Sequence, residues 1–144
     1  MTLNAYLNFA GKCEEAFNFY HKVLGGDIVA LVKGSDMPMP AEGDGEGCAG
    51  GEWDPNMIMH ARLIVDGQIL MGSDAPPQFY EKPQGTTVNI NVETIEEAER
   101  IFAALSENGE VKIPIAETFW AHRWGLLVDQ YGTPWMLNCE KPMG

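Results

Sequence analysis

Apolar residues recur along this chain in two alternating rhythms, and the order of those rhythms repeats. Leu3–Phe9 carries a strand-like period of two. Next, Ala16, Tyr20 and Val23, flanked by Phe17 and Leu24, mark one helical stripe, with Glu14 and Glu15 at its start and Gly25-Gly26 at its end. Strand-like runs follow at Asp27–Lys33, Met57–Val65 and Gln68–Ser73, the last two joined by Asp66-Gly67, a two-residue hairpin signal. Thr86–Val92 then opens a second round. Thr94-Ile95-Glu96-Glu97 fits a capping box, Ala98, Ile101, Phe102 and Leu105 form the stripe, and Asn108-Gly109 stops the helix. Val111–Ile115, Phe119–Val128 and Thr133–Cys139 complete the round, with Asp129-Gln130-Tyr131-Gly132 as a type I turn leading into a G1 bulge.

The helix starts also match as sequence. Cys13-Glu14-Glu15-Ala16-Phe17 returns as Ile95-Glu96-Glu97-Ala98-Glu99, 82 positions later. The hairpin glycines Gly67 and Gly132 lie 65 positions apart, and the 17-residue difference falls in Gly34–Asn56, rich in Gly, Pro, Met and acids. The pattern predicts an α+β fold of two tandem βαβββ modules in one domain: residues 1–76 with an inserted loop at 34–56, and residues 85–141. A four-stranded sheet with one helix has only one face covered, so the other must meet a sister module, a subunit or a ligand.

Composition narrows the partners. The 144 residues carry 9 basic against 21 acidic side chains, a net charge of −12, which disfavours nucleic acid and anionic membranes. No apolar run approaches the roughly 18 residues that span a bilayer, and Met1–Ala10 does not read as a secretion signal; the expected setting is the cytoplasm. Cys13, Cys48 and Cys139 are odd in number and far apart, which suggests neither a disulfide framework nor a zinc knuckle.

Further runs carry a family resemblance. They are Tyr6-Leu7-Asn8-Phe9, Met59-His60-Ala61-Arg62-Leu63, Leu70-Met71-Gly72-Ser73-Asp74, Glu117-Thr118-Phe119-Trp120-Ala121-His122-Arg123, and Pro134-Trp135-Met136-Leu137-Asn138-Cys139-Glu140. With the duplicated modules, the chain resembles the PhnB-like branch of the vicinal-oxygen-chelate superfamily, which includes glyoxalase, bleomycin-resistance proteins and extradiol dioxygenases. The resemblance implies a cupped mixed sheet. For the enzymes it also implies a divalent metal held by His, Glu or Gln from the first and last strand of each module. Those positions fall near Ala5, Met71, Thr87 and Met136, none a fitting ligand for such an ion. Leu3–Phe9 and Thr86–Val92 contain no His, Asp, Glu or Cys at all, so a slip of register creates no ligand. No metal and no cofactor is therefore expected. A label of ubiquinone methyltransferase finds no glycine-rich nucleotide loop after the first strand.

The expected function is the binding of a small organic molecule in the sheet cup without the metal. The alternatives are a metal-independent acid/base enzyme, with His60, His122 or Glu140 as candidate catalytic groups, or a metalloenzyme with a relocated site. If Met136 points inward, alternation carries Trp120, His122 and Trp124 inward with it. Asn89, Asn138 and Arg62 join them as expected pocket residues. Trp120 and Trp124 are either pocket walls or filling for a closed core or a dimer interface. His60 and His122 are acid/base groups, ligand contacts or structural histidines. Cys13, near a helix start, is either activated or buried and inert. Asp74 and Glu117, at strand ends, read as solvated acids. Asp36–Trp53 is either a lid or a surface insert. The acidic balance favours a cationic or neutral ligand, and the open sheet faces favour a homodimer.

Overall fold

Each half of the chain folds as strand, helix, then three strands, as the repeated rhythm requires. The computed structural model describes residues 1–36 and 54–142. The first half holds β1 (Ala5–Phe9), α1 (Cys13–Leu24), β2 (Asp27–Lys33), a 3-10 turn at Gly34–Asp36, β3 (Ile58–Val65) and β4 (Gln68–Asp74). The second holds β5 (Val88–Asn91), α2 (Ile95–Ser106), β6 (Glu110–Ala116), β7 (Ala121–Val128) and β8 (Pro134–Glu140). The suggested lid, with Met37, Met39, Cys48 and Trp53, lies almost wholly outside the described residues.

The strands form two mixed sheets of identical topology, β1-β4-β3-β2 and β5-β8-β7-β6. In each, the first strand runs parallel to the last and the other pairs are antiparallel. Two contact units follow. One contains residues 1–18 and 26–80; the other contains residues 19–25 and 81–144, so the end of α1 belongs with the second sheet.

Local chemistry accounts for the element ends. Thr94 Oγ1 accepts from the Glu97 amide at 3.1 Å, satisfying a free donor at the start of α2. Asp66 and Gly67 both take positive φ, 50° and 77°, which matches the twist of the flanking strands in a two-residue hairpin. β7 starts two residues later than the pattern predicts. Thr118 and Ala121 bond across a tight turn, with the Thr118 amide donating to the Ala121 carbonyl and the Ala121 amide to Thr118 Oγ1, both at 3.0 Å. Phe119 and Trp120 are therefore turn residues, not strand residues.

The core of each unit lies under a helix. In the first unit Phe9, Cys13, Ala16, Phe17, Ala61 and Leu63 are buried. Gly72 leaves room for the Phe17 ring, because a Cβ there would collide with it. In the second unit Tyr20, Val23, Ala98, Ile101, Phe102, Leu105, Leu127, Trp135, Leu137 and Cys139 are buried, and Phe102 sits over Gly125 in the same manner. These contacts fix which face of each sheet meets the helices and leave the other face open.

Each unit has one buried carboxylate that ties its own elements together. Asp129, 3% exposed, accepts four bonds. Tyr20 Oη (2.6 Å) and Trp135 Nε1 (2.8 Å) donate to Oδ2, while the Tyr131 (2.8 Å) and Thr133 (3.0 Å) amides donate to Oδ1. Asp74, 6% exposed, accepts from the amides of Gly11, Cys13 and Ile58, each at 2.9 Å. It is thus a buried cap for the start of α1, and the expectation that it is a solvated acid is corrected. Glu117 is exposed as expected, and the Lys141 ammonium at 3.2 Å holds its carboxyl below the usual range.

Candidate functional sites on the open sheet faces

On the second sheet, Leu126 pairs with Met136, Trp124 with Asn138, Asn89 with Met136 and Asn91 with Asn138. Since Trp135, Leu137 and Cys139 are buried on the helix side, alternation puts Trp124, Leu126, Met136, Asn138, Asn89 and Asn91 on the open face. Five of these are half-buried or exposed; Asn138 is buried, 7% exposed. Its Nδ2 donates to Asn91 Oδ1 at 3.0 Å and to Glu140 Oε1 at 3.2 Å. Its Oδ1 is buried without a partner. An unpaired buried acceptor costs about 1–3 kcal/mol, so this oxygen is set to receive a donor.

The aromatic wall is present in altered form. Trp120, from the turn, packs edge-on against Trp124 with ring centroids 5.5 Å apart, and Phe119 packs on Trp120 at 4.7 Å. Trp120 is 42% exposed, so it is not core filling in this chain. A bulge interrupts β7: Ala121 pairs with Glu140 but Arg123 with Cys139. His122 is the extra residue, and alternation from Trp124 stops at it. Arg123 turns to the helix side, where its Nε bonds Glu99 at 2.8 Å.

On the first sheet the expected register holds. Arg62 pairs with Met71, which puts His60, Arg62, Met71 and Ser73 on one face. β1 adds Tyr6 opposite Met71 and Asn8 opposite Ser73. The Tyr6 and His60 rings lie 6.1 Å apart. Ala5 pairs with Leu70 and alternates with Leu7 and buried Phe9 on the helix side, so the position expected at Ala5 is occupied on the open face by Tyr6. His60 belongs to this unit and His122 to the other.

These positions test the metal that the fold family implies. Asn89 pairs with Met136 as Tyr6 pairs with Met71, so Asn89 rather than the expected Thr87 holds the matching position. Tyr6, Met71, Asn89 and Met136 offer a phenol, two thioethers and an amide, a poor set for a divalent Lewis acid. Among the described residues, no three His, Cys, Asp or Glu side chains come together. The donor set does not fit the ion.

Two further places complete the inventory. A cavity of about 610 Å³ in the first unit is lined by Gly11, Met57, Asp74, Pro76 and Tyr80 among others, at the strand ends rather than on the sheet face. Cys13 is fully buried, and burial, followed by the Asp74 charge, pushes its thiol far above the usual range. It is an inert core thiol rather than an activated one.

A family profile described as 3-demethylubiquinone-9 3-methyltransferase matches residues 2–138. The chain belongs to that family. Within it, the protein is 36% identical over 142 residues to Protein YjdN of Escherichia coli strain K12, covering 98% of this chain and 97% of that one. It is 40% identical to the solved structure of PA1353 from Pseudomonas aeruginosa, with a TM-score of 0.85 and 99% of each chain covered. A PhnB protein from Bacillus cereus is 27% identical, with a TM-score of 0.72 over 96% of this chain and 99% of that one. The fosfomycin resistance protein FosX from Listeria monocytogenes, at 10% identity and a TM-score of 0.62 over 98% and 94% of the two chains, shares the fold. These relations place the 3-demethylubiquinone-9 3-methyltransferase family member in the PhnB-like branch of the vicinal-oxygen-chelate superfamily, as the sequence resemblance implied. Among the described residues, no helix is long and apolar enough to cross a membrane.

Proposed function

We propose that this PhnB-like protein binds a small organic molecule on an open sheet face without a divalent metal. The observation that carries this is Asn138 on the second sheet. Its buried Oδ1 has no partner, and it lies on the face of Trp124, whose ring is extended outward by Trp120. An aromatic wall beside an oriented amide suits a planar body bearing a hydrogen-bond donor. Glu140, bonded to the same amide, favours a neutral or cationic donor there. Methyl transfer, the activity in the family's description, gains no support from the β1–α1 connection. Ala10-Gly11-Lys12 is not a glycine-rich nucleotide turn. The same reading takes the protein as a cytoplasmic homodimer, the pairing supported by exposed apolar side chains such as Phe119.

The test is a fluorescence titration with planar amides and amines, nicotinamide and tryptamine among them. At least one probe should quench tryptophan emission along a saturable curve, with affinity falling about tenfold or more in Trp124→Ala, the loss of about 1.4 kcal/mol of contact. Absence of any saturable binder, or undiminished binding by a folded Trp124→Ala variant, would contradict the proposal.

A further inference from the structure

The chain has three arginines, and two are paired with acids: Arg100 with Glu97 at 2.6 Å and Arg123 with Glu99 at 2.8 Å. Three lysines are paired as well, with Glu14, Glu110 and Glu117. Arg62 is different. It is half-buried on the open face of the first sheet, and among the described residues no carboxylate lies within ion-pair distance of it. Its cross-strand neighbours are Ala30 and Met71, neither charged. One guanidinium nitrogen reaches only the Met71 thioether, at 3.7 Å, a weak acceptor, and its Nε is buried with no partner. In so acidic a protein, a half-buried guanidinium with no carboxylate partner among the described residues is a costly arrangement.

We propose that Arg62 receives the oxyanion of a small molecule, a carboxylate or a phosphoryl or phosphonyl group, on the open face of the first sheet. The planar fork of a guanidinium fits such groups through two parallel N–H···O bonds. Ile64, Ile69 and Met71 on the same face lower the local dielectric and strengthen the attraction. The Tyr6–His60 ring pair flanks the position and supplies apolar contact for the ligand's body. The inference goes beyond the proposed function, whose carrying residues lie on the second sheet, and stands on Arg62 and its surroundings. It also sets a specific anion subsite against the overall acidity, which favours cations only at long range.

The experiment compares phenylphosphonate, benzoate and neutral benzamide by calorimetry on the wild-type protein, Arg62→Met and Arg62→Lys. Wild type should bind at least one of the two acids about tenfold or more tightly than benzamide, the scale of one charge-assisted pair. Which acid is preferred separates a planar from a tetrahedral oxyanion. That preference should vanish in Arg62→Met and be partly kept in Arg62→Lys. Without probe, Arg62→Met should melt at the same temperature or higher, because it removes an unpaired charge. Equal binding of benzamide and both acids by wild type, or an acid preference that survives Arg62→Met, would overturn the assignment. So would a lower melting temperature of Arg62→Met, or a change in sedimentation alone, which would mark an ion pair within or between chains. Failure of the aromatic-probe titration at Trp124 would strike the binding function itself; failure here with that titration intact would strike only the anion subsite.

Discussion

Asp129→Asn is expected to lower the free energy of unfolding by about 3 kcal/mol or more. The carboxylate accepts from four donors, two on each oxygen. An asparagine keeps one acceptor oxygen and aims an NH₂ at the other two donors. Either the Tyr131 and Thr133 amides or the Tyr20 hydroxyl and Trp135 indole then lose their acceptor. Urea denaturation measures the change, and a loss below about 1 kcal/mol would show that the network does not carry the turn. The same cluster sets an alkaline limit. Burial first, and the Asp129 charge next, push the Tyr20 hydroxyl far above the ordinary tyrosine value. The folded protein therefore keeps a proton that the unfolded chain releases near pH ~10. The stability contributed by Tyr20 is complete below that pH and is lost as pH rises beyond it, towards the folded-state value. Tyr20→Phe should be destabilised by about 1–2 kcal/mol at neutral pH and show a shallower alkaline decline.

Asp74→Ala should cost a similar amount, about 3 kcal/mol, through the first unit. Three amides lose their acceptor: Gly11 and Cys13 at the entrance to α1, and Ile58 at the start of β3. Because Asp74 lies 61 residues from Cys13 and 16 from Ile58, it joins the helix start to the sheet rather than closing a local turn. Hydrogen exchange should therefore accelerate at Cys13 and Ile58 together. Acceleration at only one of them would show that the two ends are not held by one group.

These two residues show where sequence pattern stops. Periodicity and turn chemistry are local, and they placed the helices, the Asp66-Gly67 hairpin, and the pairings of Arg62 with Met71 and Leu126 with Met136. Asp129 was visible as a turn residue, yet Tyr20, its closest donor, is 109 positions away, and no local pattern encodes that contact. Asp74 looks like any acid at the end of a strand until the helix start is folded onto it. Alternation also fails wherever the ladder is irregular. The extra residue at His122 and the Thr118–Ala121 turn remove His122 and Trp120 from the alternation that the rest of β7 obeys. In β1 the position taken from the family resemblance was off by one, and Tyr6, in phase with Asn8, replaces Ala5 on the open face. That Arg62 has no carboxylate partner among the described residues depends on long-range placement of the acids, which only the folded chain reveals.

Binding on an open sheet face, as proposed, needs no divalent ion. The most direct measurement is a calorimetric titration of one verified probe into protein purified without metal, stripped with a chelator, and then resupplied with zinc, manganese or nickel. The same affinity, within about twofold, is expected in all preparations, because the phenol, thioether and amide groups at the ligand positions are a poor set for such ions. Binding that disappears on stripping and returns with one equivalent of metal would contradict it.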